Sequence, residues 1–277
     1  MSERIIVSLT TWSERMNNLP TVLNSIEEQS VRPDHIVLNL AYEETIPNHI
    51  QSYLDKYHIE VFRVPDTKVY KKLIPTLKRY PNDIVINIDD DWLYPHGMIA
   101  DFIETHHRYP NHPISGNRVV LSEMICHCGC ASLTKLEYFQ PFIELIDNDI
   151  IHNCPCDDIV YTYFANKAKH PYITTKNQYF LNMTPITNGE GYSAKIGDSA
   201  QQKTLSYLIK KYGELPSFTN NYLSDPYIAN ILYHIHYQEK KTIQENATEH
   251  IRNTIAYNVG KFITSPFSFI RHKLFTK

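Results

Sequence analysis

Residues 84–95 read Ile-Val-Ile-Asn-Ile-Asp-Asp-Asp-Trp-Leu-Tyr-Pro, an apolar run that leads straight into three carboxylates. Ile84, Val85, Ile86 and Ile88 place β-branched residues on both faces of a strand, as suits a central strand of a parallel sheet covered on both sides. Upstream, the same kind of short apolar run recurs at Ile5–Leu9, His35–Leu40 and Ile59–Val64. Helical patterns separate them. Pro20 follows an Asn18 cap and precedes the stripe Val22, Leu23, Ile26, and Pro47 opens a helix carrying Ile50, Tyr53 and Leu54. A third helix is predicted over Tyr70–Tyr80. Strand and helix in alternation mean an α/β fold with a mainly parallel sheet. The strands recur at intervals of about 25 to 30 residues without a shared residue pattern, so they are successive β/α units and not a solenoid.

Beyond Pro95 the pattern predicts a helix over His96–His107, a strand over Asn117–Ile125 and a helix over Asp157–Lys169 with Ile159, Val160, Tyr163 and Phe164 on its apolar face. Residues 181–200, rich in Thr, Asn, Gly and Ser, read as a mobile loop. Helical segments follow near 199–211, 225–239 and 243–263. The expected organisation is a catalytic core over 1–180, a loop over 181–200 and a helical region with a basic apolar tail over 201–277.

The 277 residues are 42% hydrophobic and 21% charged, ordinary for a globular chain with a substantial core. A formal charge of −3 makes no field for nucleic acid, and no Lys/Arg cluster is interleaved with stacking aromatics, so nucleic acid is not an expected partner. No basic region with a long apolar stretch opens the chain, and no apolar run approaches the ~18 residues of a membrane span. Cytoplasm is the expected compartment. Five cysteines, all between Cys126 and Cys156, fit a reducing compartment better than a disulfide framework.

A carboxylate cluster directly after a buried parallel strand lies at the carboxyl edge of the sheet, where open α/β folds bind ligands. Three adjacent carboxylates repel one another, and a hard divalent cation arriving with a diphosphate offsets that cost through oxygen ligands. The competing explanation is a solvated acidic turn or a helix cap.

In this context Ile5–Arg15 (IVSLTTWSER within it), Tyr70–Tyr80 (YKKLIPTLKRY) and Ile84–Pro95 (IVINIDDDWLYP) resemble bacterial GT-A glycosyltransferases related to glycosyltransferase family 2. The resemblance covers about residues 4 to 170, and the DDD run is its most specific part. It implies a GT-A, Rossmann-like fold and a sugar moved from a nucleotide-diphosphate donor, UDP-sugar by preference, to a glycan or lipid-linked acceptor of lipopolysaccharide or capsule. It also implies a Mn2+ or Mg2+ ion ligated by Asp91 with Asp89 sharing it. Asp89 and Asp90 would meet the nucleotide-sugar, Thr10, Thr11 and Arg15 would line its base and phosphate pocket, and Lys71 and Lys72 would offset the diphosphate charge.

Inverting transfer needs a base beside the acceptor hydroxyl. Asp157 and Asp158, after Cys154-Pro155-Cys156 and at the head of an apolar helix, are the carboxylate pair that the resemblance assigns to this task, Asp158 first and Asp157 second. Both also interact favourably with a helix N-terminus, which alone is worth about 0.3 to 1 kcal/mol. Cys126, Cys128, Cys130, Cys154 and Cys156 lack tight zinc spacing, and buried thiols are their default reading. The CHCGCAS stretch departs from the glycine-rich acceptor region of the resembled enzymes. His152, His170, His234 and His236 are late histidines of the kind GT-A metal sites recruit, and none is assigned. From His250 to Lys277 there is no acidic residue. Ile251, Ile255, Val259 and Phe262 fall at helical spacing among Arg252, Lys261, Arg271 and Lys273. Such a tail suits either the inner face of an anionic membrane or a protein surface. Two rival readings are a nucleotidyltransferase, weakened by the lack of a glycine-rich phosphate loop among only 8 glycines, and a binding relative without turnover.

Overall fold

The computed structural model describes residues 3–116, 118–121, 124–127, 130–175, 183–186 and 199–215. The chain divides into two units, Met1–Asn220 and Asn221–Lys277. The second lies outside the described residues, and with it the expected helices beyond 225, His234, His236 and the tail at 250–277. Most of the loop expected at 181–200 also lies outside them, as does Cys128.

The expected alternation is present. β1 (Ile5–Thr10) leads through a 3-10 turn (Ser13–Asn18) to α1 (Leu19–Glu27), β2 (His35–Ala41), α2 (Asn48–Lys56) and β3 (Glu60–Val64). A second 3-10 turn (Lys68–Lys72) and α3 (Ile74–Arg79) precede β4 (Ile84–Ile88), the short β5 (Trp92–Leu93) and α4 (Met98–Arg108). Then come β6 (Ile114–Ser115), β7 (Arg118–Leu121), β8 (Met124–His127), β9 (Ala131–Thr134), α5 (Asn148–Asn153), α6 (Asp157–Lys167), β10 (Ile173–Thr174), β11 (Thr184–Pro185) and α7 (Ala200–Tyr212).

Three local expectations are corrected. Tyr70–Tyr80 is not one helix: a 3-10 turn ends at Lys72 and an α-helix begins at Ile74. Pro75 is the cause, because it has no N–H to give to the carbonyl four residues back and is tolerated only in a first turn. The strand expected over Asn117–Ile125 is the hairpin β7–β8, paired antiparallel from Arg118–His127 to Leu121–Met124. Asn18 precedes α1 but makes no side-chain cap bond.

A seven-stranded sheet runs in the order β10-β6-β9-β4-β1-β2-β3. β1 lies parallel between β2 and β4, and β9 joins β4 antiparallel. The chain therefore moves outward through β2 and β3 and returns to β4 on the other side of β1, which makes the β1/β4 junction a topological switch point. All five residues of β4 are buried, as the branched run requires. On one face Ile6, Val37 and Val85 join a core with Leu73, Leu77, Phe139, Tyr161, Phe164, Leu205 and Leu208 from α3, α6, α7 and the segments between. Alternation turns Val7, Leu38 and Ile86 to the other face. The apolar residues of α1, α2 and α4, Leu23, Ile50 and Phe102 among them, are buried as well. α6 is buried on all sides, more than the one apolar face expected, and so serves as an internal helix behind the sheet.

Candidate active site

The register that pairs Ile5 with Ile84 and Ser8 with Asn87 carries on past the strand ends, so Thr10 and Thr11 come level with Asp89 and Asp90. Thr11 Oγ1 donates to Asp90 Oδ2 at 2.6 Å, and Arg15 Nη1 donates to Asp90 Oδ1 at 2.7 Å. Arg15 Nη2 lies 3.0 Å from Asp91 Oδ2, so one guanidinium spans two carboxylates of the run. Thr10 turns to β2 instead, its hydroxyl donating to the Asn39 carbonyl at 2.7 Å.

Asp89 meets a different cation. Lys72 Nζ stands 2.9 Å from Asp89 Oδ1, 3.1 Å from Asp157 Oδ2 and 3.7 Å from Asp158 Oδ1. A single ammonium, 5% exposed, thus joins the end of β4 to the first turn of α6. Its place is set from below by hydrogen bonds. Ser8 Oγ donates to the Lys72 carbonyl at 2.5 Å, while Thr76 and Asn39 Nδ2 reach the same Ser8 oxygen at 2.6 and 3.1 Å. Lys71, by contrast, is not brought to the acidic run: its ammonium is bonded to Asp66.

The turn of the run is shaped by Tyr94. The Asp89 N–H donates to its hydroxyl at 2.8 Å, and that hydroxyl donates to the Cys130 carbonyl at 2.7 Å. The short ladder of β5 with β11 pairs Trp92 with Pro185, and the Ile186 N–H donates to the Asp91 carbonyl at 2.8 Å. Ser8 and Tyr94 are the contributors that sequence reading missed. Each left a signal: a hydroxyl inside an apolar strand, and a tyrosine within the DDDWLYP stretch.

Charge balance follows from these contacts. Burial works against the ammonium of Lys72, but the fields of Asp157, Asp89 and Asp158 outweigh it and hold its pKa well above that of a free lysine. Burial pushes Asp157 up to about 7 against the pull of Lys72, with Asp158 and Asp89 adding to the rise. Burial likewise lifts Asp91 to about 6, Asp89 adding and Arg15 opposing. Asp90 is raised by burial in spite of Arg15 and Thr11. Of the α6 pair, Asp157 has a side chain 6% exposed and Asp158 one 21% exposed. Asp158 is the more exposed of the two.

Among the described residues no three His, Cys, Asp or Glu side chains are gathered as a metal cage. Asp91 Oδ1, however, is buried without a hydrogen-bond partner. Two carboxylates completed by diphosphate and water oxygens are a donor set that suits Mg2+ or Mn2+, which seldom use all-protein cages. Cys130, Cys154 and Cys156 are buried and not joined in disulfides. His170 is occupied elsewhere, its Nδ1 lying 2.8 Å from the Asn111 carbonyl.

The sheet order, the switch point and the acidic turn at the end of β4 define a GT-A, Rossmann-like fold. No protein-family model matches the sequence, and no curated protein matches it. Among solved structures, the mannosyltransferase PcManGT from Pyrobaculum calidifontis, in complex with GDP-Man and Mn2+, is similar with a TM-score of 0.57 at 16% identity, over 79% of this chain and 68% of that one. At such identity the likeness is one of fold. A 4-diphosphocytidyl-2C-methyl-D-erythritol synthase aligns at a TM-score of 0.44, with 11% identity over 69% of this chain and 96% of its own. TarS (1-349) from S. aureus, in complex with UDP, aligns at 0.42, with 13% identity over 65% and 62%.

Proposed function

We propose that the chain is a glycosyltransferase that moves a sugar, with inversion, from a nucleoside-diphosphate donor to a glycan or lipid-linked acceptor. The observation that carries this reading is Lys72, whose one ammonium touches both the acidic run after β4 and the carboxylate pair opening α6. In this reading the two carboxylate groups belong to one site. Support from comparison is of fold: the similar mannosyltransferase was solved with a nucleotide-sugar and Mn2+.

In this reading Asp89 and Asp91 hold a Mn2+ or Mg2+ ion, which when bound supplies positive charge for the departing diphosphate. Thr11 and Arg15 line the nucleotide side, fixed there by Asp90. Asp158 takes the proton from the acceptor hydroxyl as that oxygen attacks the anomeric carbon opposite the leaving group. Asp157, buried and ion-paired, keeps Lys72 and the α6 terminus in place. Lys72 acts within the protein, as the tie between the two carboxylate groups, and Lys71 stays with Asp66.

A panel of nucleotide-sugars, incubated with glycan and lipid-linked acceptors, tests the reading. Sugar transfer is expected, and NMR of the product should show the anomeric configuration opposite to the donor. Asp158→Asn should bind donor like wild type and lose turnover by a factor on the order of 10² to 10⁴, the range for a general base. Retained configuration, or near-normal turnover in that variant, removes Asp158 from the role.

A further inference from the structure

The acidic run already carries its own countercations, and they are held unequally. Both oxygens of Asp90 are engaged: Thr11 donates to one and Arg15 Nη1 to the other, with the Asp90 side chain 7% exposed. The second grip of Arg15 is looser. Its Nη2 lies 3.0 Å from Asp91 Oδ2 as an ion pair, is buried and makes no hydrogen bond, while Asp91 Oδ1 has no hydrogen-bond partner either. Asp91 is thus the carboxylate of the run with an oxygen left open, and Asp90 the more firmly held.

We infer that Arg15 competes with the divalent cation for Asp91 and, once displaced, turns its freed Nη2 to the diphosphate while Nη1 stays anchored on Asp90. The inference rests on the glycosyltransferase reading and adds an order of binding to it. Metal alone must push Nη2 off Asp91 and leave that end of the guanidinium without a partner, held only through Nη1 on Asp90. Metal arriving with a diphosphate gives the guanidinium a new partner, and the planar fork suits phosphate oxygens. Arg15 thereby couples the two ligands, and coupling is reciprocal: whatever the diphosphate adds to metal affinity, the metal adds to diphosphate affinity.

The test is binding of Mn2+ alone, and of Mn2+ with UDP or GDP, to the full chain and to Arg15→Met and Arg15→Lys, followed by calorimetry and by the electron-spin signal of free Mn2+. Arg15→Met should bind Mn2+ alone about tenfold tighter than wild type, and the enhancement of Mn2+ binding by nucleotide should shrink by about the same factor, within the usual range of coupling between sites. Arg15→Lys keeps the charge but holds one carboxylate in place of two, so it should fall between them and reports the effect if the methionine variant does not fold. Equal affinity for Mn2+ alone in wild type and both variants overturns the inference, even where the Mn2+–nucleotide complex binds. Failure of wild type to bind Mn2+ with either nucleotide removes the glycosyltransferase reading and this inference together.

Discussion

Lys72 is the residue on which the two half-sites depend. Three carboxylates lie within 3.7 Å of its ammonium, in a place where its side chain is 5% exposed. Removing one partner of a buried ion pair leaves the other charge without compensation, so Lys72→Met should lower the free energy of unfolding by about 3–5 kcal/mol in denaturant titrations. A loss below about 1 kcal/mol, the range of exposed pairs, would mean that solvent reaches the cluster. The acidic run and the α6 pair were legible as separate motifs, because Asp after a branched strand and Asp before an apolar helix are local patterns. Their junction was not. Lys72 pointed to a diphosphate in the sequence, and only the fold places it between Asp89 and Asp157. Lys71, adjacent and chemically identical, goes to Asp66, a distinction that one residue of rotation on a 3-10 turn decides.

At the level of elements, β1 and β4 are fixed together at both ends. Thr11 and Arg15 bind the run at the carboxyl end, and at the other end Arg4 holds Asp83 with Nη2 at 2.6 Å and its backbone N–H at 3.1 Å. These bonds, the Arg4 side chain foremost, hold the Asp83 carboxyl below the usual carboxylate range. Its stabilising effect is therefore present above the unfolded pKa of about 3.9 and is lost as the pH falls through the lower folded value. Arg4→Met should flatten that part of the acid limb in a stability-versus-pH series; an unchanged limb would remove Asp83 as its source. Gly116 marks a second close fit. A Cβ there would lie 2.9 Å from Phe102 Cζ and 3.2 Å from its Cε1, so a side chain after β6 would have to displace the buried Phe102 ring of α4. Gly116→Ala should cost about 1–3 kcal/mol, as overpacking does, and Phe102→Leu in the same chain should recover part of it. Additive losses would show that the two do not share the space. Strand identities were legible because period and branching are local properties. The helix expected over Tyr70–Tyr80 failed at Pro75, which the apolar spacing of Leu73 and Leu77 masked.

At the scale of the sheet as a whole, the order β3-β2-β1-β4 creates the switch point beside β4, and no local pattern states an order. The α/β alternation and the resemblance of three short segments led to a mainly parallel sheet of GT-A type, and the order itself is seen only in the fold. β9, antiparallel beside β4, and the return of residues 184–186 to Trp92 and Asp91 were invisible in the sequence, since both are long-range pairings of short strands with ordinary composition. Likewise α7 lies in the same core as α6, through Leu205 and Leu208. Among the described residues no helix is long and apolar enough to cross a membrane. At the switch point stand the acidic run Asp89–Asp91 and, across Lys72, the partly exposed carboxylate of Asp158. The central claim is that this acidic run binds a nucleoside diphosphate through a divalent cation. Calorimetric titration of the full chain and of Asp91→Asn with UDP and with GDP, each with and without Mn2+, tests it most directly. The account predicts binding of one nucleotide by wild type that needs Mn2+ and is lost in Asp91→Asn; binding of equal strength without Mn2+, or unchanged in the variant, would contradict it.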